Sequence, residues 1–229
     1  MSSETIVDST ATNQKGAAPA ASGATAASGG TARGQVRPSR GQAAQVSRAA
    51  SAGGPAPDGT LDLVAGLLRD VPDFPSPGIR FWDLTTLLAD AAGFTAVVDL
   101  LAAQSGGADV VVGIEARGFL LGAAVARALG LGVVVVRKAG KLPLVGASRS
   151  YDLEYGSATL ELPSGTLGAG TRAFLVDDVL ATGGTAEAAC QLVESTGATV
   201  TALSVVLELP VLGARDRLGG RSVHALLAR

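Results

Sequence analysis

The stretch AFLVDDVLATGGTAEAACQLV, Ala173–Val193, decides the fold. Its first residues are mostly apolar and lead directly into two adjacent acids, Asp177 and Asp178. A turn containing Gly183 and Gly184 follows, and apolar residues then recur at helical spacing. This order predicts a buried β-strand, a tight turn and an α-helix. The two acids would stand at the carboxyl end of the strand, beside the N-terminus of the helix.

Similar strand and helix patterns occur on both sides of this stretch. Val-rich runs lie in DVVVGIEARG (Asp109–Gly118), GVVVVRKAG (Gly132–Gly140) and TVTALSVVLEL (Thr199–Leu209). Buried strands that alternate with helices are typical of an α/β fold with a mostly parallel, twisted sheet flanked by helices on both faces. Ligands of such folds bind beyond the carboxyl ends of the strands, where both GIEARG and DDVLATGGT fall.

The first 58 residues differ in composition from the rest of the chain. Residues 16–35 read GAAPAASGATAASGGTARGQ and contain no large apolar side chain. Such a segment cannot bury enough surface to offset the entropy lost on ordering. We expect a disordered tail over residues 1–58 and one domain over residues 59–229. The tail has several arginines and few acids, so an organellar transit peptide is the alternative.

Composition and charge exclude several classes of function. The 229 residues carry a formal net charge of −2, which gives no general reason to expect nucleic acid or a membrane as partner. No apolar run reaches the roughly 18 residues of a membrane span. Cys190 is the single cysteine, so a Cys-rich zinc site is excluded and a reducing, cytoplasmic location fits. His224 is the single histidine, so acid–base chemistry would depend mainly on carboxylates.

The turn after the two acids suits a phosphate. Backbone N–H groups are free at a helix N-terminus, and the helix dipole favours negative charge there. Carboxylates just before the turn suit hydroxyl groups or a developing positive charge, so the whole segment fits a sugar phosphate. An ordinary strand–turn–helix connection with a capping acid remains the alternative. The residues of this candidate phosphate turn are Ala181, Thr182, Gly183, Gly184 and Thr185.

The segment AFLVDDVLATGGT resembles the phosphoribosyl-diphosphate (PRPP) signature of the type I phosphoribosyltransferases. Four other segments resemble, in order, those of the adenine phosphoribosyltransferases: VPDFPSPGIRFWDLTTLL, GIEARGFLLG, RKAGKLP and YDLEYGSATLEL. The resemblance covers Leu61 to Arg229. It implies the fold of that family, with a small N-terminal hood over residues 71–88, and transfer of phosphoribose from PRPP to N9 of adenine, giving AMP and pyrophosphate. It also implies a homodimer, and Mg²⁺ held mainly by PRPP and water, with no protein ligand of the metal assigned.

The resemblance assigns roles to residues around PRPP. Asp177 and Asp178 would hold the ribose hydroxyls and favour the cationic transition state, although neighbours on a strand end face opposite ways. Backbone amides beside a cis peptide bond between Glu115 and Ala116 would bind the diphosphate. The residues implied at the pyrophosphate are Glu115, Ala116, Arg117, Gly118, Arg137, Lys138 and Lys141.

The base and the proton are assigned in the same way. The loop YDLEYG would carry Glu154 as the proton-handling residue near N7 of adenine, with Tyr155 as its neighbour over the site. Phe81 would pack on the purine, backbone groups at Arg80 would read its edge, and Val179 would contact its other side. Trp82 departs from the family, whose members often carry arginine there.

Other interpretations remain open at this stage. Arg117 is compatible with a surface ion pair, Glu154 with a solvated loop acid, and Phe81 and Trp82 with core packing. At the level of function, the alternatives are a related enzyme for another base, such as a 6-oxopurine, and a PRPP-sensing regulator without catalysis. Intact Glu154 and the cationic segment RKAGKLP argue against the regulator.

Overall fold

A computed structural model of the chain describes residues 59–152 and 156–229. The helices are α1 (Thr60–Gly66), α2 (Thr85–Ala89), α3 (Ala91–Ala102), α4 (Arg117–Leu129), α5 (Gly184–Glu194) and α6 (Ala214–Arg217), with a 3₁₀ turn at Pro210–Leu212. The strands are β1 (Arg69–Pro72), β2 (Arg80–Asp83), β3 (Val110–Ile114), β4 (Gly132–Lys138), β5 (Val145–Asp152), β6 (Ser157–Pro163), β7 (Arg172–Leu180), β8 (Thr199–Glu208) and β9 (Val223–Ala228). None of the helices in these two ranges is long and apolar enough to cross a membrane.

The main sheet has seven strands in the order β5-β6-β4-β3-β7-β8-β9. Strands β4, β3, β7, β8 and β9 pair in parallel, whereas β6 pairs antiparallel with both β4 and β5. The expected α/β fold with a mostly parallel sheet is therefore confirmed. Because β3 lies between β4 and β7, the segments that follow these three strands meet at one edge of the sheet.

Two apolar cores lie on opposite faces of this sheet. On β7, Leu175 belongs to the core under α5, while Phe174 and Val176 belong to the core under α3 and α4. All three side chains are fully buried, as expected for a strand covered on both sides. Side chains alternate along a strand, so the next two residues, Asp177 and Asp178, start out toward different faces.

A glycine contact sets the distance between α4 and the sheet. A Cβ atom at Gly113 would lie 2.7 Å from the carbonyl oxygen of Gly118, and a Cβ at Gly118 would lie 2.7 Å from the carbonyl oxygen of Val176. These contacts involve backbone atoms, which cannot rotate away as a side chain can. Glycine at both positions lets the N-terminus of α4 approach the ends of β3 and β7.

The hood corrects one expectation from the sequence. Its three prolines predict a loop throughout VPDFPSPGIRFWDL, whereas β1 and β2 form an antiparallel hairpin with Val71 opposite Phe81. The prolines lie at the end of β1 and in the connection, which are positions of a hairpin where proline is tolerated. Ion pairs join the two strands at Arg69–Asp83 (3.2 Å) and Arg80–Asp70 (3.0 Å).

Two further elements differ from the sequence-based expectation. The segment from Tyr151 to Gly156 is predicted as a loop, but Tyr151 and Asp152 continue β5, paired with Ala158 and Ser157 of β6. Strand β9, which follows the last strand expected from the sequence, pairs in parallel with β8. Residues 1–58, for which a disordered tail is expected, lie outside the described residues.

Candidate active site

One cleft at the carboxyl edge of the sheet brings together eight of the residues singled out by sequence, from the end of β7, the candidate phosphate turn, the Glu115 segment and the end of β4. One wall of the cleft is formed by the candidate phosphate turn, with Ala181, Thr182, Gly183 and Thr185. The other walls include Asp177, Val179, Glu115 and Lys138. Tyr151, Ala158 and Leu160 of the β5–β6 hairpin complete that side. Segments 62 residues apart in the chain, at Glu115 and Asp177, thus share one cavity because β3 and β7 are neighbours.

The candidate phosphate turn connects β7 to α5. Gly183 has φ of 85°, and a Cβ there would lie 2.9 Å from the carbonyl oxygen of Ala214, so the turn is pressed against α6. Gly184 begins α5, and the Glu187 N–H already donates to the carbonyl of Gly183 (2.8 Å). The earlier N–H groups of the helix have no intrahelical acceptor and stand at the cleft. This geometry suits an anion.

The two acids have different surroundings. Asp177 Oδ1 accepts a hydrogen bond from the Asp178 N–H (2.9 Å), and its carboxyl faces the cleft. Burial and the nearby charge of Asp178 raise the pKa of Asp177 well above its ordinary value. Asp178 is only 7% exposed and forms an ion pair with Arg117, the first residue of α4. The pair is compact, with 2.5 Å between Arg117 Nε and Asp178 Oδ2.

The Glu115 side chain points toward cations. Glu115 Oε2 accepts from the Lys138 N–H (2.8 Å), and Oε1 accepts from Lys141 Nζ (2.9 Å). Arg137 Nε lies 3.5 Å from the same carboxylate, whose side chain is 9% exposed. Burial raises the pKa of Glu115, but the hydrogen bonds from Lys141 and the Lys138 amide outweigh it and leave the pKa lowered. The peptide bond between Glu115 and Ala116 is cis, as the resemblance implies.

These contacts reveal an arrangement that the sequence did not suggest. The motif GIEARG gives no role to the Glu115 carboxylate. In the structure that carboxylate accepts hydrogen bonds from Lys141 and from the backbone at the end of β4. Arg137 also lies over the ring of Phe119, 5.6 Å from its centroid. Sequence spacing could not show the contact between Glu115 and Lys141, because these residues are 26 positions apart in the chain.

The hood brings Phe81 to the site from the other side. The guanidinium carbon of Arg117 lies 6.0 Å from the centroid of the Phe81 ring, and Phe74 packs edge-on against the same ring at 5.1 Å. Arg117 therefore joins the hood to Asp178. The Arg80 side chain is exposed and pairs with Asp70, so any contact of Arg80 with a base would come from its backbone.

Trp82 occupies a structural position. Its partly buried side chain packs against the core formed with α3 and α4, and the guanidinium carbon of Arg229 lies 5.7 Å from its ring centroid. Core packing, one of the interpretations left open by the sequence, thus accounts for Trp82. The tryptophan forms part of the support beneath the hood strand that carries Phe81.

The proton-handling candidates lie outside the described residues. Glu154 and Tyr155 fall between the end of β5 at Asp152 and the start of β6 at Ser157. The two strands that bracket them pair in continuous register from Ala147 opposite Leu162 to Asp152 opposite Ser157, after an irregularity between Val145 and Ala147. Near this end of β5, the Tyr151 hydroxyl lies 3.0 Å from the hydroxyl of Thr185. Sequence reasoning missed this contact, although Tyr151 is part of the recognised segment YDLEYG.

Comparison with known proteins agrees with this arrangement. Residues 85–217 match the family described as phosphoribosyl transferase domain. The chain is 57% identical over 170 residues to an adenine phosphoribosyltransferase of Saccharopolyspora erythraea, which covers 74% of this chain and 93% of the relative. It is 60% identical over 166 residues to one of Kineococcus radiotolerans, which covers 72% of this chain and 89% of the relative.

Solved structures give the same result. An adenine phosphoribosyltransferase from Thermoanaerobacter pseudethanolicus matches with a TM-score of 0.71 and 42% identity, over 74% of this chain and 99% of the other. The one from Saccharomyces cerevisiae, solved with an imino-altritol bisphosphate and adenine, matches with a TM-score of 0.69 and 38% identity, over 73% and 98% of the two chains. The cleft, the ordered motifs and these matches agree, and the chain belongs to the adenine phosphoribosyltransferase family.

Proposed function

We propose that this chain transfers phosphoribose from PRPP to N9 of adenine, giving AMP and pyrophosphate, in the cleft at the carboxyl edge of its sheet. One observation carries the proposal: the phosphate turn, Asp177 and the Glu115–Lys138 group line the same cavity. PRPP carries a phosphate, a ribose and a diphosphate in that order. The cavity presents groups that suit each of the three parts.

The 5′-phosphate is held by the turn from Ala181 to Thr185. Free N–H groups at the start of α5 donate to its oxygens, and the helix dipole favours its charge. The close approach of Gly183 to Ala214 supports this role because a rigid turn keeps its amides aimed at one point. A phosphate fixed there sets the position of the ribose.

The ribose lies beside Asp177 and Asp178. Breaking the anomeric C–O bond leaves positive charge on the sugar, and preformed carboxylates stabilise that charge most when it develops. Asp177 faces the cleft and accepts from ribose hydroxyls. Asp178 forms an ion pair with Arg117, which holds its carboxylate at the end of β7, next to Asp177.

The diphosphate binds between the Glu115–Gly118 segment and the end of β4. Arg117, the first residue of α4, offers its planar guanidinium to diphosphate oxygens, for which its fork is suited. Lys138, Lys141 and Arg137 supply further positive charge, and Glu115 keeps them in place. Donors arranged before the reaction stabilise the leaving pyrophosphate without reorganisation.

Adenine occupies the space between the hood and Val179. The Phe81 ring packs on the purine, and the backbone at Arg80 reads the edge of the base. Arg117 lies next to the Phe81 ring, so this ring is close to the proposed diphosphate site. The yeast structure that matches this chain was solved with adenine, which supports a purine as acceptor.

Glu154 handles the proton at N7 of adenine, and Tyr155 covers the site with it. The loop that carries them closes over the reactants and excludes water, which would otherwise react with the ribosyl cation. Tyr151, which lies in β5 just before this segment, lines the cleft and supports the proposal.

Mg²⁺ fits this site as a partner of the substrate. Within residues 59–152 and 156–229, no group of three or more His, Cys, Asp or Glu side chains is positioned to hold a metal ion. Magnesium usually keeps several waters and is bound through substrate phosphates, which fits an ion held mainly by PRPP and water. When bound, the ion would offset negative charge on the diphosphate. We also propose a homodimer, which the family resemblance supports, and a cytoplasmic location, which the buried thiol of Cys190 supports.

A direct assay tests the function. Purified protein is incubated with PRPP and Mg²⁺ and with adenine, hypoxanthine or guanine, and nucleotide and pyrophosphate are measured. We expect AMP and pyrophosphate in equal amounts with adenine, and far slower reaction with the 6-oxopurines. Preference for hypoxanthine or guanine would contradict the proposed acceptor, and PRPP binding without product would contradict catalysis.

A further inference from the structure

Tyr151 connects the β5–β6 hairpin to the phosphate turn. It is the last but one residue of β5, and its ring is partly buried against the core under α5. The ring lies over the start of that helix, where a Cβ on Gly184 would be 3.7 Å from Tyr151 Cδ2. Its hydroxyl reaches the hydroxyl of Thr185 at 3.0 Å. The sequence assigns no role to this tyrosine.

The paired hydroxyls of Tyr151 and Thr185 leave one O–H group free to donate to a third group. Each hydroxyl has one O–H to donate, so within the pair one group donates and the other receives. The receiving hydroxyl keeps its own O–H for another acceptor. Both Tyr151 and Thr185 line the cleft, and the turn there is the proposed site of the 5′-phosphate. A phosphate dianion offers only acceptors, so the spare O–H of the pair can be directed to it whichever hydroxyl receives.

Burial strengthens this arrangement. The pair is partly buried, and hydrogen bonds in series polarise one another in such surroundings. A hydrogen bond to a charged group also contributes more than one between neutral groups. The Tyr151 ring is fixed by packing, which means that little conformational freedom is lost when the phosphate arrives.

We propose that the Tyr151 hydroxyl is part of the 5′-phosphate subsite, acting on the phosphate together with Thr185. The inference rests on the proposed function and extends it to a residue of the hairpin. It also gives the β5–β6 hairpin a contact with the substrate, through Tyr151 of β5.

Tyr151→Phe tests this inference because it removes the hydroxyl and keeps the packed ring. The control is Ser150→Ala, which removes a neighbouring β5 hydroxyl that pairs with Thr159 (2.8 Å) on an exposed part of the hairpin. Binding of ribose 5-phosphate and of inorganic pyrophosphate is measured by calorimetry on the full chain. For Tyr151→Phe we expect ribose 5-phosphate to bind on the order of 10-fold more weakly. Pyrophosphate affinity and melting temperature should stay unchanged, and Ser150→Ala should match wild type in all three.

Steady-state kinetics provides a second measurement. The KM for PRPP should rise in Tyr151→Phe by a factor similar to the loss in ribose 5-phosphate affinity, since the contact is present before the transition state. Thr185→Val should weaken ribose 5-phosphate, and the double variant should lose less than the product of the two single effects.

Several results would overturn the inference. Unchanged ribose 5-phosphate affinity in Tyr151→Phe would mean that the hydroxyl does not act on the phosphate. Equal losses for ribose 5-phosphate and pyrophosphate would show a general structural role. If wild-type protein forms AMP while Tyr151→Phe behaves identically, this inference alone fails. If the wild-type protein forms no AMP from adenine and PRPP, the proposed function fails and this inference fails with it.

Discussion

Glu115 and Asp177 are both acids at the edge of a proposed anion site, and they differ in what surrounds them. Glu115 is nearly enclosed, yet Lys141, the Lys138 amide and Arg137 compensate its charge. Asp177 has a backbone N–H as hydrogen-bond partner and a second acid as neighbour. A buried charge without a cation costs stability, so Asp177 has the properties of a residue retained for function.

This contrast predicts that Asp177→Asn stabilises the protein as pH rises. The raised pKa means that folded Asp177 binds a proton more tightly than the unfolded residue, whose value is 3.8. Stability is therefore lost as pH climbs from about 4 through the folded pKa, and Asn, which cannot ionise, avoids that loss. Asn also keeps the oxygen that accepts from Asp178. We expect a melting temperature about 2–5 °C above wild type at pH 8 and a smaller difference near pH 4.

The same variant should lose activity. Without the carboxylate, the developing ribosyl cation has less stabilisation, and kcat should fall on the order of 10²-fold. Asp178→Asn is the matched control for stability, because it removes a charge that Arg117 already pairs and should give no gain. A melting temperature for Asp177→Asn that is equal to or below wild type at every pH between 5 and 8 would contradict this account.

At the scale of elements, the contact between α4 and β3 is set by glycine. Gly113→Ala would place a Cβ 2.7 Å from the Gly118 carbonyl oxygen and 3.2 Å from Phe119 Cα. Because these are backbone atoms, α4 must move as a unit, and Arg117 at its N-terminus moves with it. We expect a loss of about 1–3 kcal/mol in the free energy of unfolding, measured by denaturant titration, and lower kcat/KM.

Gly132→Ala is the matched control in the neighbouring strand. A Cβ there meets nothing within 4 Å and needs no unusual backbone angle, so the change should stay within about 0.5 kcal/mol. If Gly113→Ala were as stable and active as Gly132→Ala, the close approach of α4 would not be a constraint on the site.

The opposite edge of the sheet carries an ion pair that should depend on pH. Asp109, just before β3, accepts from Arg172 Nη2 (2.8 Å), Nε (3.2 Å) and the Arg172 N–H (3.0 Å) at the start of β7. These hydrogen bonds lower the pKa of Asp109 to about 2. A lowered carboxyl pKa contributes stability above the unfolded value of 3.8, which is lost as pH falls toward 2.

Asp109→Asn should therefore be less stable than wild type at pH 5–7, and the gap should close between about pH 4 and pH 2. The pair is exposed, so the effect should be small, and melting temperature measured in low salt is the suitable readout. High salt should reduce the difference at neutral pH. A gap that persists unchanged at pH 2 would show that the aspartate acts through something other than its charge.

The structure of the stretch Ala173–Val193 was predicted correctly because its sequence signals are local. The apolar run before Asp177 and the glycine turn after it gave strand, turn and helix in the right order. The β1–β2 hairpin was missed because its strands are short and its prolines dominate the pattern. Strand β9, which reads VHALLA, has no alternation to mark it and is defined by pairing with β8.

Predicting the site from sequence had a similar limit. The sequence correctly predicted that GIEARG and DDVLATGGT lie at the carboxyl edge of the sheet, because both segments follow strands that run in parallel. Contacts between side chains that are distant in the chain could not be predicted from the sequence. Glu115 with Lys141, Arg117 with Asp178 and Tyr151 with Thr185 each depend on packing between elements.

At the scale of the whole molecule, the boundary at residue 59 is still a prediction. Residues 1–58 lie outside the described structure, and their composition alone predicts a tail that the domain does not need. Helix α1 begins directly after the boundary. Its Val64 is fully buried in the core under α3 and α4, and the Leu63 N–H donates to Gly59 (2.9 Å). Two truncations can therefore bracket the boundary.

Removal of residues 1–58 should leave kcat, the KM for PRPP and the melting temperature nearly unchanged, because the removed side chains have little apolar surface to bury. Removal of residues 1–66 should lower the melting temperature strongly, since it takes Val64 out of the core and leaves a cavity. Both are compared with the full chain by thermal unfolding and steady-state assay. If the shorter truncation already loses stability or activity, the tail packs on the domain and its composition was misinterpreted. If the longer truncation is harmless as well, α1 is not part of the folded core.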